Sequence, residues 1–218
     1  MFINKSNLVE KITNKLREDI VSGIYPQGTL FNQEDLALKF NVSRTPIKES
    51  LNQLENEGFV ERHKKRQFMV KKLNLKYLIQ IYQVREVIDG LSARIVAEQE
   101  SSENVKKLGQ DLDKILEKMG SIIHSWDHKM WTQLNVDFHA NILKATNNRL
   151  LVDQLPLLRI SSEMFYPTVK THPKRALSSL DEHYMILKAI CSGDGALAEN
   201  IARTHIKVAR KFIEESIL

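Results

Sequence analysis

Two stretches of different hydrophobic pattern predict a mainly α chain: a short N-terminal unit of three helices and two strands, then an antiparallel α-helical bundle. In the first stretch, Leu8, Ile12, Leu16 and Ile20 recur every four residues, the mark of a helix with one buried face. Phe59-Val60 and Phe68-Met69-Val70 read instead as short strands, with Phe68 and Val70 on one face by period-two alternation. From Leu75 onward the pattern is helical throughout, without a strand signal.

The first helix ends at Ser22-Gly23, where glycine suits the left-handed residue that closes a helix. Tyr25-Pro26-Gln27-Gly28-Thr29-Leu30 follows as a turn. Asn32 is placed to cap a second helix that begins at Gln33-Glu34-Asp35-Leu36-Ala37. The third helix opens in Asn41-Val42-Ser43-Arg44-Thr45-Pro46-Ile47-Lys48. Ser43 and Thr45 each carry a side-chain oxygen suited to its N-cap, and spacing does not choose between them. Pro46 is tolerated because first-turn amides have no intrahelical acceptor to lose.

That third helix joins two kinds of surface. Ile47, Leu51 and Leu54 form an apolar stripe that can bury, while Ser43, Arg44, Thr45 and Lys48 give its N-terminal tip polar and cationic reach. In a helix-turn-helix this tip meets base edges and phosphates, so the sequence points to double-stranded DNA as a partner. Charge agrees: residues 1–74 hold 13 Lys+Arg against 9 Asp+Glu, most of the formal excess of +5. Arg62, Lys64, Lys65, Arg66, Lys71 and Lys72 form a run without an acid, suited to phosphate contact with counterion release.

Over residues 5–71 the chain resembles the winged helix-turn-helix of the GntR family of bacterial transcription regulators. The Ser43-Arg44-Thr45-Pro46 core carries the resemblance most specifically. Two positions depart from the family pattern. Glu34 stands where the family often has arginine, and Gln67 where it often has a glycine at the wing tip. Glu34 would repel phosphate if it faced the duplex, and a side chain at 67 would hold the wing away from the minor groove.

In the second part, helices are expected over 75–99, 102–123, 127–146, 148–169, 176–192 and 195–216. Ser101-Ser102 and Ser125 can cap, Asn147-Asn148 can break, and Ser192-Gly193-Asp194-Gly195 ends one helix and opens the next. Pro156 and Pro167 should each kink or shorten their helix. The division expected is 1–72 for DNA binding and 73–218 for a helical domain of dimerisation and effector binding; 218 residues suffice for two cores.

Three histidines sit on apolar stripes of separate helices. His139 follows Trp131, Leu134 and Phe138; His183 lies among Leu180, Leu187 and Ile190; His205 lies among Leu197, Ile201, Val208 and Phe212. One such histidine is ordinarily a core residue with a hydrogen-bond partner. Three directed into one bundle interior are less readily explained so, and imidazoles converging from facing helices are a common way to build a metal site. Arg85 and Arg159 each interrupt an apolar stretch; each must snorkel, pair with an acid or reach a carboxylate ligand.

Residues 75–216 resemble the all-helical (FCD-type) effector-binding domain of the FadR-like branch of the GntR family. The marks are Val84-Arg85-Glu86-Val87-Ile88-Asp89, Asn135-Val136-Asp137-Phe138-His139 with Asn147-Asn148, Glu182-His183-Tyr184-Met185-Ile186-Leu187-Lys188-Ala189-Ile190 with Gly193-Asp194, and His205. In metal-binding members an aspartate four residues before the first histidine joins three histidines as ligands. The resemblance therefore implies a ligand set of Asn135, His139, His183 and His205, with a neutral amide in place of the carboxylate. Asn135 lies about 40° from His139 around the helix, whereas Asp137 lies about 200° away and should face elsewhere. Imidazole accepts zinc, nickel, manganese or iron. Arg85 matches the family's arginine in the first effector-domain helix, and Arg159 is the second candidate for a small carboxylate effector.

Cys191 is the one cysteine, so an intramolecular disulfide is excluded and a reducing cytoplasm is the expected compartment. No apolar run approaches the length of a membrane span, and the N-terminus lacks a signal-peptide core. The expected function is a homodimeric, metal-assisted regulator that binds a palindromic operator through Ser43, Arg44, Thr45 and Lys48, with Lys64, Lys65 and Arg66 on backbone phosphates. Two other readings stand beside it: a helical domain that only dimerises, with core histidines, and a metal-dependent hydrolase. Against the hydrolase, no general base is well placed on the histidine faces.

Overall fold

The computed structural model describes residues 5–64, 67–72, 74–99, 102–164 and 173–217. The chain divides into two compact units, Met1–Asn74 and Leu75–Leu218.

The first unit runs α1 (Lys5–Val21), β1 (Leu30–Phe31), α2 (Gln33–Phe40), α3 (Arg44–Asn56), β2 (Val60–Arg62) and β3 (Phe68–Val70). Ile12, Leu16 and Ile20 of α1 are buried, as are Ile47, Leu51 and Leu54 of α3, which packs against it. Gly23 closes α1 with a φ of 79°, a value that favours glycine. The Asn32 side chain accepts from the Glu34 amide at 2.9 Å and caps α2. Ser43, not Thr45, is the N-cap of α3, though its side chain makes no cap hydrogen bond.

The sheet order is β1-β3-β2, all antiparallel. Phe31 pairs with Phe68 and Val60 with Val70; all four are buried. Strand β1 was not expected from sequence, because two residues are too short to show a period. The His63 amide donates to the Gln67 carbonyl at 2.8 Å, closing the wing.

The second unit contains α4 (Leu75–Ala97), α5 (Ser102–Ile122), α6 (His128–Ala145), α7 (Arg149–Val152), α8 (Leu155–Arg159), a π-helical turn (Ile160–Met164), α9 (Pro173–Cys191) and α10 (Gly195–Ile217). Its core draws Val96 from α4, Leu112 and Leu116 from α5, Trp131 and Phe138 from α6, Ile186 and Ile190 from α9, and Ala202 from α10. Helices α4 and α10 approach closely at Gly90, where a Cβ would fall 2.5 Å from Cγ of Arg203.

Two local expectations change here. The cap of α6 is Asp127, whose carboxylate accepts from the Met130 amide, while Ser125 bonds back to Ile122. Over residues 148–164, the described part of the helix expected over 148–169, the chain is broken into α7, α8 and the π-helical turn. Pro156 sits in the first turn of α8, where its missing amide does no harm, so the chain breaks before it. Pro167 lies outside the described residues. Among the described residues, no helix is long and apolar enough to cross a membrane.

Candidate nucleic-acid interface and candidate metal centre

At the head of α3, burial separates the two surfaces predicted for it. Pro46, Ile47 and Ser50 face inward, and Ser43, Arg44, Thr45 and Lys48 are exposed. Nη1 of Arg44 lies 3.0 Å from Oε1 of Glu34, with both side chains about two-thirds exposed at 64% and 67%. Glu34 therefore has a cationic partner on the same surface. Arg62, counted with the basic run, is committed internally: it bonds Glu55 and Asn52, and its guanidinium lies 3.7 Å from the Phe68 ring centroid. Lys64 is exposed. Lys65 and Arg66 lie outside the described residues.

In the second unit, His139 of α6, His183 of α9 and His205 of α10 are all buried, and one nitrogen from each lies within 4.8 Å of the others. Nε2 of His139 and Nε2 of His183 are 3.3 Å apart. Two ligands bonded at about 2.0–2.1 Å to one tetrahedral ion stand about 3.3 Å apart, so this spacing fits a shared metal. Phe138 packs against His183 with ring centroids 4.4 Å apart. Burial pushes all three imidazoles down from their ordinary range, His205 to about 4 and His183 well below 6.5. They are neutral at pH 7, the form that offers a lone pair to a metal.

Carboxylates back two of the rings. Oδ1 of Asp89 lies 3.5 Å from Nδ1 of His139, and Oε2 of Glu182 lies 2.6 Å from Nδ1 of His205. Each acid is held by an arginine. Arg85 donates Nε to Asp89 at 3.1 Å, and Arg175 grips Glu182 with two bonds of 2.9 Å. Burial would raise the Asp89 carboxyl, but the Arg85 charge and the neighbouring His139 ring outweigh it and hold it at about 2. Glu182 is also lowered: burial opposes this, and His205 and Arg175 overcome it.

Arg85 is 4% exposed; its Nη1 donates to Ser161 of the π-helical turn at 2.9 Å. Its Nη2 and the Nδ1 of His183 are buried without a hydrogen-bond partner among the described residues. Asn135 is half-buried on α6, one turn before His139. Asp137 accepts from Gln133, a partner on the same helix. Arg159 is half-buried at the end of α8.

Sequence reasoning assigned no role to Asp89, Glu182 or Arg175. The signals were an acid four residues after Arg85 in an apolar helix, and an acid adjoining His183. Neither spacing alone says which histidine the acid will meet.

Comparison with known proteins accords with both units. Residues 8–70 match the family described as bacterial regulatory proteins, gntR family, and residues 80–208 match the FCD domain. The chain is 29% identical over 198 residues to a gluconate operon transcriptional repressor of Bacillus licheniformis, covering 88% of this chain and 79% of that one. It is 28% identical over 201 residues to the protein of that name in Bacillus subtilis (strain 168), covering 90% and 81%. Its fold is similar to that of E. coli McbR/YncC, with a TM-score of 0.78 at 16% identity over 97% of this chain and 99% of that chain. The chain belongs to the GntR family and carries an FCD domain, and it is a DNA-binding transcription regulator rather than an enzyme.

Proposed function

We propose that this regulator works as a homodimer whose operator affinity responds to a small organic acid bound beside a divalent metal in the helical domain. The observation that carries this reading is the 3.3 Å approach of two buried Nε2 atoms, with a third neutral imidazole completing the group.

His139, His183 and His205 would hold the ion, with Asn135 placed one turn before His139 to offer its amide oxygen. Zinc, nickel, manganese or iron suits such donors. When bound, the metal supplies an uncompensated positive charge, since every proposed ligand is neutral. The arginine–carboxylate pairs beside it, Arg85–Asp89 and Arg175–Glu182, balance internally. An anionic ligand is thus favoured. Arg85 retains an unpartnered buried Nη2 that can donate to a carboxylate. Arg159 is the further cation proposed for the effector. The relatives named for a gluconate operon make a sugar acid a sensible member of any ligand screen.

On the DNA side, Ser43, Arg44, Thr45 and Lys48 would read the major groove, and Lys64, Lys65 and Arg66 would neutralise phosphates. A two-fold dimer would place two α3 helices on a palindromic operator. For the acid to act as a switch, it must bind the DNA-competent and DNA-incompetent states with different affinity.

The test is a thermal-shift screen of tag-free protein with zinc, nickel, manganese and iron, each alone and with small carboxylates including gluconate. A metal and then an acid should each raise the melting temperature, because both bind the folded state. Melting unchanged by every metal and by chelation would favour a purely structural helical domain.

A further inference from the structure

The three histidines are not equivalent. Nδ1 of His139 faces Asp89 and Nδ1 of His205 faces Glu182, whereas Nδ1 of His183 is buried with no partner among the described residues. Each of the two acids is itself fixed by an arginine from its own helix. Asp89 divides its oxygens, Oδ1 toward His139 and Oδ2 toward Arg85. Glu182 receives Arg175 on both oxygens and His205 on Oε2.

We propose that Asp89 and Glu182 are positioning residues for the metal: each accepts the Nδ1 proton of one histidine and so presents that ring's Nε2 lone pair to the common centre. The inference rests on the metal reading above. A neutral imidazole has one donor nitrogen and one acceptor nitrogen, so a carboxylate at Nδ1 selects the tautomer whose Nε2 can bind a metal. For His139 the placement accords with this, since its Nε2 is the atom 3.3 Å from Nε2 of His183. Outer partners of this kind orient the ring and raise its basicity. They matter more here because no carboxylate stands at position 135 to hold the ion directly.

The arginines make the two relays rigid. Arg85 joins Asp89 to Ser161, tying His139 to the π-helical turn, and Arg175 anchors Glu182 from two turns earlier on α9. His183 lacks such a brace, and its position depends on packing against Phe138 and the other two rings.

Zinc affinity, measured by competition with a chromophoric chelator, tests this in Asp89→Asn, Glu182→Gln and Asp137→Asn. The last removes the same charge from the helix of His139, at a carboxylate bonded only to Gln133 among the contacts described. Asp89→Asn and Glu182→Gln should each weaken zinc binding by roughly 10–100-fold, and Asp137→Asn should leave it unchanged. Long-range nitrogen–proton NMR of the metal-free wild type gives a second readout independent of the variants' folding. It should show the Nδ1–H tautomer at His139 and His205. Wild-type zinc binding with unshifted affinity in both carboxamide variants, or Nε2–H tautomers at both rings, would overturn the relays and leave the metal reading standing. A wild type that takes up no zinc would overturn both.

Discussion

Nη1 of Arg44 lies 3.0 Å from Oε1 of Glu34, linking the first turn of α3 to the first turn of α2. Both partners are exposed, so the pair contributes at most about 1 kcal/mol to folding. Its consequence is for binding: the acid offsets the cation on the surface proposed to meet DNA. Glu34→Ala should therefore tighten binding to random duplex and steepen its salt dependence, read by fluorescence anisotropy across a salt series. Unchanged affinity and slope would mean that position 34 lies away from the duplex.

Arg44→Ala separates base reading from phosphate contact. If Arg44 reads a base edge, specific binding should weaken by roughly 1–3 kcal/mol, with a smaller loss on random sequence. Equal losses on both would make it a phosphate contact.

Position 135 has its own test. Asn135→Asp adds an anionic oxygen one turn before His139 and should tighten metal binding, measured by chelator competition. Unchanged affinity would show that this side chain does not touch the ion.

The buried imidazoles impose a pH dependence on metal-free protein. His205 is lowered from 6.5 to about 4 by burial, and His139 and His183 are lowered as well. As pH falls below about 6.5 the unfolded chain takes up protons before the folded one, so stability is lost. For His205 the loss accumulates from 6.5 down to about 4. Melting temperature should decline over this window, and the decline should be shallower in His205→Asn.

Arg85→Ala leaves Asp89 buried beside His139 without its counterion. Breaking a buried pair from one side costs about 3–5 kcal/mol, so the denaturation midpoint should fall sharply. A shift of the size seen for a surface substitution would mean that Asp89 is well satisfied without Arg85.

Much of this was legible in the chain because its signals are periodic. The stripe Ile12, Leu16 and Ile20 and the stripe Ile47, Leu51 and Leu54 are buried as spacing required. The three histidines meet because each occupied an apolar face of its own helix. Strand β1 escaped because two residues carry no period. The break before Pro156 was signalled, but the π-helical turn after it was not, since nothing in Ile160-Ser161-Ser162 departs from an ordinary helix. Asp89 and Glu182 escaped for a different reason. Their partners lie 50 and 23 positions away along the chain, and only the packing of α4 on α6 and of α9 on α10 brings them together.

Whether His139, His183 and His205 hold a metal is read most directly by elemental analysis of protein purified without a nickel column. Wild-type protein should carry about one transition-metal ion per chain, and His183→Ala should lose it. Equal metal content in the two proteins, or none in the wild type even after zinc is supplied, would contradict it.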